Sequence, residues 1–334
     1  MSKRIRGMCG MAGAAALLLC AAQAHAISAP GYTVHEIALP DFAQGDVVVV
    51  GDALFVGVGA GFSGAGQAVL RIDAGGTTVI ADGFNSLAGF AYDPAGNRLL
   101  VGDNGLEALG SETGDTLFAI ASPFGTFATP LRAADIAVTP AGSVPGFADI
   151  VLDPDDPGRA FVSDASSGFP PAGRTLAVDL ASGAISVLQS GLGYAAGLAV
   201  DADTLFLGDL NGFTFAGEVT SVALPGATGA RTPVIDGLGG LYDLEATSDG
   251  SLLATAYGEL LRIDPALGTS SVVASGLGFA TGLFERDGTI WLLDGGFPGV
   301  AAVYRLDAIP EPGTLVLAGL GVAALAVRRR VVSL

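Results

Sequence analysis

Leu99-Leu100-Val101-Gly102-Asp103 is a phrase that the chain repeats. It returns as Ala160-Phe161-Val162-Ser163-Asp164, as Leu205-Phe206-Leu207-Gly208-Asp209 and as Ile290-Trp291-Leu292-Leu293-Asp294. Two further copies lack the acid, Leu54-Phe55-Val56-Gly57-Val58 and Leu252-Leu253-Ala254-Thr255-Ala256. The second residues of the copies are Phe55, Leu100, Phe161, Phe206, Leu253 and Trp291, so the steps are 45, 61, 45, 47 and 38 residues. A period in that range, carried on short apolar runs and Gly-rich turns, is the mark of a propeller, in which each repeat is one small antiparallel sheet.

Around each phrase the other strands of the unit fall into place. In the first unit Val47-Val48-Val49-Val50 turns at Gly51-Asp52 into the phrase, and Gln67 to Asp73 turns through Ala74-Gly75-Gly76 into Thr77-Thr78-Val79-Ile80. β-Branched runs of this length between Gly-rich turns read as strands. The fold class is therefore all-β: a β-propeller of six blades with four antiparallel strands each. The long second step, into the third unit, leaves five and seven blades as alternatives, and the surplus lies in a Pro- and Gly-rich stretch between residues 121 and 146. The segment from Tyr32 to Leu39 alternates and is the candidate for a strand that completes the last blade from the other end of the chain.

Composition narrows function. The chain of 334 residues is half apolar, only 14% charged, and holds 51 glycines. Between residues 27 and 309 stand nine arginines, no lysine and 32 acids, and the whole chain carries a net charge of −18. Such a surface repels nucleic acid. Both cysteines, Cys9 and Cys20, and one of the two histidines, His25, precede this body. A disulfide, a thiolate metal site or a multi-histidine site cannot be built from what remains.

The two ends give an address. Lys3, Arg4 and Arg6, an apolar run of about a dozen residues and then Ala24-His25-Ala26 read as a secretory signal peptide over residues 1–26, cleaved after Ala26. At the other end Pro310-Glu311-Pro312 precedes an uncharged apolar run and then Arg328-Arg329-Arg330. The prolines stop the last strand. The apolar run reads as a single transmembrane helix whose arginines hold the C-terminus on the cytoplasmic side. The division is leader 1–26, propeller 27–308 and tail 309–334.

The tail resembles the PEP-CTERM sorting signal, which implies an exosortase-type enzyme as partner, anchoring in the membrane before processing, and a link to extracellular polysaccharide or biofilm. The body, over residues 32 to 307, resembles NHL-repeat and gluconolactonase-like six-bladed propellers. That resemblance implies a metal-dependent lactonase-type hydrolase as one reading of the body. The family's acid at the start of the first blade has no clear counterpart, since Gly45-Asp46 aligns only loosely, and no catalytic residue carries over. The other reading is a non-catalytic binding or structural protein.

The candidate metal ligands are Asp149, Asp243 and Asp209. Five inner strands begin with the same slot: Gly89-Phe90, Asp149-Ile150, Gly197-Leu198, Asp243-Leu244 and Gly282-Leu283. Two of them carry an acid where the others carry glycine. If inner strands begin at a mouth of the central channel, Asp149 and Asp243 project there with Asp209 nearby, and oxygen-only ligands suit calcium or magnesium rather than zinc. Against this stands a structural role for Asp103, Asp164, Asp209 and Asp294: a carboxylate after the second strand accepts backbone N–H groups of the following turn.

Overall fold

A computed structural model describes residues 27–59, 66–104, 106–107, 111–112, 116–125, 134–138, 147–165, 173–210, 216–224, 226–296 and 300–310. Their ordered elements are strands, with no helix among them. Six four-stranded antiparallel sheets follow one another along the chain. The first has Ala43–Val50 innermost, then Ala53–Val58, Gln67–Asp73 and Gly76–Phe84. The other innermost strands are Leu87–Asp93, Phe147–Leu152, Ala195–Asp201, Asp243–Ala246 and Ala280–Arg286. Each packs on the next, and the sixth packs on the first, which closes a ring.

The repeated phrase is the second strand of every blade, and its alternation explains the packing. In a strand successive side chains leave by opposite faces, and each blade has a neighbour on both faces. Apolar residues are therefore needed on both. Six separate apolar cores result, one at each seam. Phe55, Ile80 and Val48 of the first blade meet Phe90, Leu99 and Val101 of the second. Phe161 and Ala177 of the third meet Leu198 and Leu207 of the fourth. Val47, Val49 and Val56 meet Leu293 and Val303 where the ring closes. Each fully buried side chain of this size contributes roughly 1.5–3 kcal/mol by leaving water.

The last blade is sewn from both ends of the chain. Its strands are Ala280–Arg286, Thr289–Asp294, Ala302–Ala308 and, outermost, Tyr32–Ala38. The N-terminal strand pairs antiparallel with the third from Tyr32↔Ala308 to Ala38↔Ala302. The expectation for residues 32–39 holds, and so does the count of six. The long second step is absorbed in the second blade, whose outer strand is Ala134–Val138 and which carries a small hairpin, Leu106–Glu107 with Ser111–Glu112.

Five of the six innermost strands break register with the second strand near their start, for example between Ala43 and Val47 and between Ala195 and Leu198. A bulge there turns the next backbone N–H out of the ladder. At this level the six strands carry, in ring order, Asp46, Gly89, Asp149, Gly197, Asp243 and Gly282. The alternation is steric. A Cβ on Gly89 would stand 2.5 Å from the Asp149 Cα, one on Gly197 2.7 Å from the Asp243 Cα, and one on Gly282 2.7 Å from the Asp46 Cα. Every acid-bearing strand leans on the glycine of the strand before it.

Gly197→Ala is expected to destabilise the domain by about 3 kcal/mol, because the new methyl meets backbone that cannot yield. Gly229→Ala, with nothing within 4 Å of the added carbon, is expected to stay within ~0.5 kcal/mol of the parent. Urea unfolding of the two variants checks the pair, and equal midpoints would remove the steric account of the alternation.

Candidate functional site

The level of the bulges is the centre of the molecule. Asp46, Asp149 and Asp243 stand on the ring axis, each at most 6% exposed. Their carboxylates accept the backbone N–H groups that the bulges turn inward. Each takes the N–H of its own following residue: Val47 to Asp46 Oδ1 at 2.6 Å, Ile150 to Asp149 Oδ1 at 2.6 Å and Leu244 to Asp243 Oδ1 at 2.7 Å. They then reach across seams. Leu198 donates to Asp149 Oδ2 at 2.6 Å, Phe90 to Asp46 Oδ2 at 3.3 Å and Leu283 to Asp46 Oδ1 at 3.2 Å. One N–H from each of the six blades is thus satisfied by three side chains.

The set is not symmetrical. Leu283, which could face Asp243 as Leu198 faces Asp149, donates to Asp46 instead. Asp243 Oδ2 accepts no backbone N–H; the Asp243 carboxyl lies within hydrogen-bond reach of Asp149 instead. The N–H groups of Asp149 and Asp243 are themselves held by hydroxyls of the second strand, Ser163 Oγ at 2.8 Å and Thr255 Oγ1 at 2.9 Å. These hydroxyls stand where the repeated phrase has glycine in the first, second and fourth blades.

Burial sets the charge state. It pushes the Asp46 carboxyl well above the ordinary value, with the Asp149 charge adding to the effect. Burial does the same to Asp243, with Asp46, Asp149 and Glu245 adding to it. Asp149 is pushed up to about 6 by burial, against the pull of the Leu198 and Ile150 amides and the Asp243 carboxyl beside it. Glu245, half-buried on the fifth inner strand, is raised by burial and then by Asp149 and Asp46. Like charges on one axis cannot all be ionised, and the amides decide which is.

The structure brings Asp149 and Asp243 together, though not at a mouth of the channel. They lie inside it, and sequence reasoning missed the third member. Asp46 was hidden in Gly45-Asp46, ahead of a run read as a buried strand. Its signal was the alternation of acid and glycine around all six inner strands. Asp209 does not join the group. Its Oδ1 accepts the N–H groups of Gly193 and Tyr194 at 2.8 and 3.0 Å. Asp103 does the same for Asn85 and Ser86, and Asp294 for Gly278 and Phe279. The structural role of these acids holds, with a correction. The N–H groups belong to the loop that enters the blade, because the end of the second strand lies beside the start of the first. Asp164 differs, pairing with Arg174 Nε at 2.9 Å.

Two features flank the axial acids. Beyond the ends of the inner strands is a cavity of about 380 Å³, with the three aspartates at its base and Val48, Phe90, Ile150, Leu244, Phe284 and Arg286 among its walls. Beside the starts of the inner strands is an aromatic cluster. The Tyr242 ring meets Tyr257 at 5.6 Å and Phe279 at 5.1 Å, both edge to face. Tyr257 is 52% and Tyr194 38% exposed. Burial, with the Tyr257 hydroxyl second, raises the Tyr242 phenol.

The two ends of the chain fall largely outside the described residues, among them Ala24, Ala26, Glu311, Pro312, Arg328, Arg329 and Arg330. The described part of the tail leaves from the last blade: Ile309 donates its N–H to Gly31 O at 2.8 Å, and Ile309 and Pro310 are exposed. Residues 308–330 match the PEP-CTERM protein-sorting motif. The chain carries a PEP-CTERM tail. This motif implies processing by an exosortase and a secreted, C-terminally anchored envelope protein.

No curated protein sequence matches the chain. Solved structures match the propeller that precedes the PEP-CTERM tail. A gluconolactonase from Xanthomonas campestris is 14% identical, with a TM-score of 0.63 over 84% of this chain and 91% of that one. A luciferin-regenerating enzyme is 12% identical, with a TM-score of 0.61 over 84% and 96%. Regucalcin from Agrobacterium tumefaciens, a calcium-binding protein, is 15% identical, with a TM-score of 0.56 over 82% and 94%. At such identities the likeness shows the fold alone.

The axial acids make a pH dependence. Their folded-state pKa values are raised, so between pH ~4 and those values the folded chain keeps protons that the unfolded chain has released. The stability they confer is complete below pH ~4 and is lost as pH rises through the folded values. The share of Asp149 goes by about pH 6, and those of Asp46 and Asp243 go as pH rises through their own raised values. Asp243→Asn, uncharged and nearly isosteric, should therefore lose less Tm than the parent as pH rises from ~4 to ~9. Parallel curves would take ionisation out of the account.

Proposed function

We propose that this protein is an exported propeller displayed at the cell envelope, where its body binds or builds and does not catalyse. In this reading the leader 1–26 is removed after Ala26. The tail from residue 309 holds the chain in the membrane through its apolar run and Arg328, Arg329 and Arg330. An exosortase then acts near Pro310, Glu311 and Pro312. The PEP-CTERM match is the observation that carries it. The exposed, extended exit at Ile309 and Pro310 suits an enzyme that must reach the peptide between a packed domain and a bilayer.

A link to exopolysaccharide takes its support from the aromatic cluster. Tyr194, Tyr242, Tyr257 and Phe279 present ring edges and faces with hydroxyls at their tips, a surface on which the C–H face of a sugar can lie while its hydroxyls find partners.

The alternative, a calcium-dependent lactonase-type hydrolase, rests on the structural neighbours. The axial aspartates do not fit the metal. Five of their six oxygens already accept backbone N–H groups, which leaves few lone pairs for a cation. Among the described residues no group of three or more His, Cys, Asp or Glu side chains is arranged to hold a metal ion.

Mass spectrometry of the C-terminal peptide, in cells with and without the sorting enzyme, tests the envelope reading. Residues 328–334 should be missing from the mature protein when the enzyme is present and retained when it is absent. Recovery of that peptide from surface-exposed protein in enzyme-containing cells would refute processing. Affinity electrophoresis in gels containing the cell's own polysaccharide tests the body. Retardation should fall several-fold in Tyr257→Ala, and equal mobility of parent and variant would remove the aromatic cluster from the reading.

A further inference from the structure

The closing seam, where the first blade meets the blade sewn from both ends of the chain, holds a second cavity, of about 480 Å³. It lies beside the turns Gly51-Asp52 and Asp287-Gly288, on the face where the inner strands end, away from the aromatic cluster. Ile37, Leu54 and Ile72 are the apolar part of its lining. Gly51, Asp52 and Asp287 are exposed, and the Arg305 side chain is 48% exposed, so the groove is open to solvent.

Its wall carries Trp291, the one tryptophan of the chain, half-buried on the second strand of the closing blade. Strand pairing explains the groups around that ring. Phe284, Trp291 and Arg305 are direct cross-strand neighbours, so their side chains leave by the same face. The Arg305 guanidinium lies 5.9 Å from the indole centroid and that of Arg286 5.6 Å. Attraction to the ring face holds both heads, and Arg286 Nη2 also donates to Gly51 O at 2.7 Å across the seam.

A second observation concerns charge. Acids outnumber bases 33 to 15 in the chain. Yet Arg286 is the one arginine, among the described residues, with no carboxylate within ion-pair distance. Asp52 and Asp287, which line the same groove, enter no ion pair among the described residues either. The other charges of the groove are committed, Asp73 to Arg71 Nε at 2.9 Å and Arg305 Nη2 to Asp307 at 3.0 Å. Groups of both signs thus stand around one aromatic ring without neutralising each other.

That pattern selects a ligand by exclusion. An anion meets Asp52 and Asp287 and the negative field of the whole chain. A cation meets Arg286 and Arg305. A purely apolar body would shut water away from charged groups and give them nothing in return. A hydroxyl both donates and accepts. A neutral polyol can donate to the carboxylates and accept from the guanidiniums, while the indole offers apolar surface to its C–H groups. The space falls within the ordinary range of ligand pockets, ~300 to ~1,000 Å³.

We propose that this seam groove binds a neutral sugar unit of a polysaccharide, with its hydroxyls shared among Arg286, Arg305, Asp52 and Asp287 and its C–H groups against Trp291. The site is separate from the sorting tail and from the aromatic cluster, and it stands whether or not that cluster takes sugar.

Trp291 is the sole tryptophan, so tryptophan emission reports on this groove. The test titrates the mature protein with neutral cellopentaose, maltopentaose and mannopentaose, with trigalacturonate as the acidic probe and the glucosamine trimer as the cationic one. At least one neutral probe should shift the emission saturably at millimolar concentration, and bind at least about tenfold more tightly than either charged probe. Asp52→Asn combined with Asp287→Asn should weaken neutral binding several-fold. Asparagine accepts the positive φ of 54° at position 287, so the turn is kept. Arg305→Gln, at an exposed side chain, should weaken it likewise and serves if the double variant is damaged. Asp179→Asn, which removes an exposed turn acid outside the groove, should leave binding intact. Any of three results would overturn the proposal: no saturable emission change with any neutral probe, a charged probe that binds as tightly as the best neutral one, or neutral binding that survives both the double variant and Arg305→Gln.

Discussion

Every innermost strand of a closed ring has one edge without a neighbour, and all six edges meet on the axis. Backbone N–H groups there are shut away from water and outside any ladder. Leaving one unpaired costs about 1–3 kcal/mol, so six would rival the net stability of a domain. This chain answers with three carboxylates. Each has two oxygens and can serve its own strand and a neighbour's. That is why acid and glycine alternate, and why the glycines sit where the neighbouring acid's backbone must come close. The arrangement replaces one unfavourable state, open amides, with a smaller one, three acids that share too little charge to be fully ionised.

Much of this was legible in the sequence, for a physical reason. A seam between blades needs apolar residues on both faces of the second strand, so the phrase around Leu100 or Phe206 recurs however much the turns vary. The closing strand at Tyr32–Ala38 was legible from its alternation. The slot of Asp149 and Asp243 was legible too, but not its surroundings. Whether the start of a strand opens on a mouth or is drawn into the axis depends on the bulge before Ile150 or Val47, and a bulge leaves no composition of its own. Asp209 was misplaced by the same blindness. It ends a second strand, and only the pairing Ala195↔Asp209 shows that its neighbour is the loop entering the blade.

The acidity of the chain also has an internal explanation. Asp73, Asp179, Asp249 and Asp264 each accept N–H groups two or three residues ahead in hairpin turns. Asp93 and Asp153 do so while also holding Arg98 and Arg159. A fold with so many tight connections recruits aspartate as a local acceptor, and the negative surface follows from turn chemistry. An envelope protein gains solubility from this.

The strand that leads into the sorting tail is not an edge strand. Ala302–Ala308 lies between Thr289–Asp294 on one side and Tyr32–Ala38 on the other, paired with both along its length. Tension applied through Pro310 while the chain is tethered runs along that strand. It loads both ladders in shear, with many hydrogen bonds sharing the force, where a strand peeled from an edge would give them up one by one. The segment of this domain that leaves the ribosome first is thus the clamp on the segment that leaves last. A body moored by its C-terminus hangs from a strand that its closing blade holds on both sides.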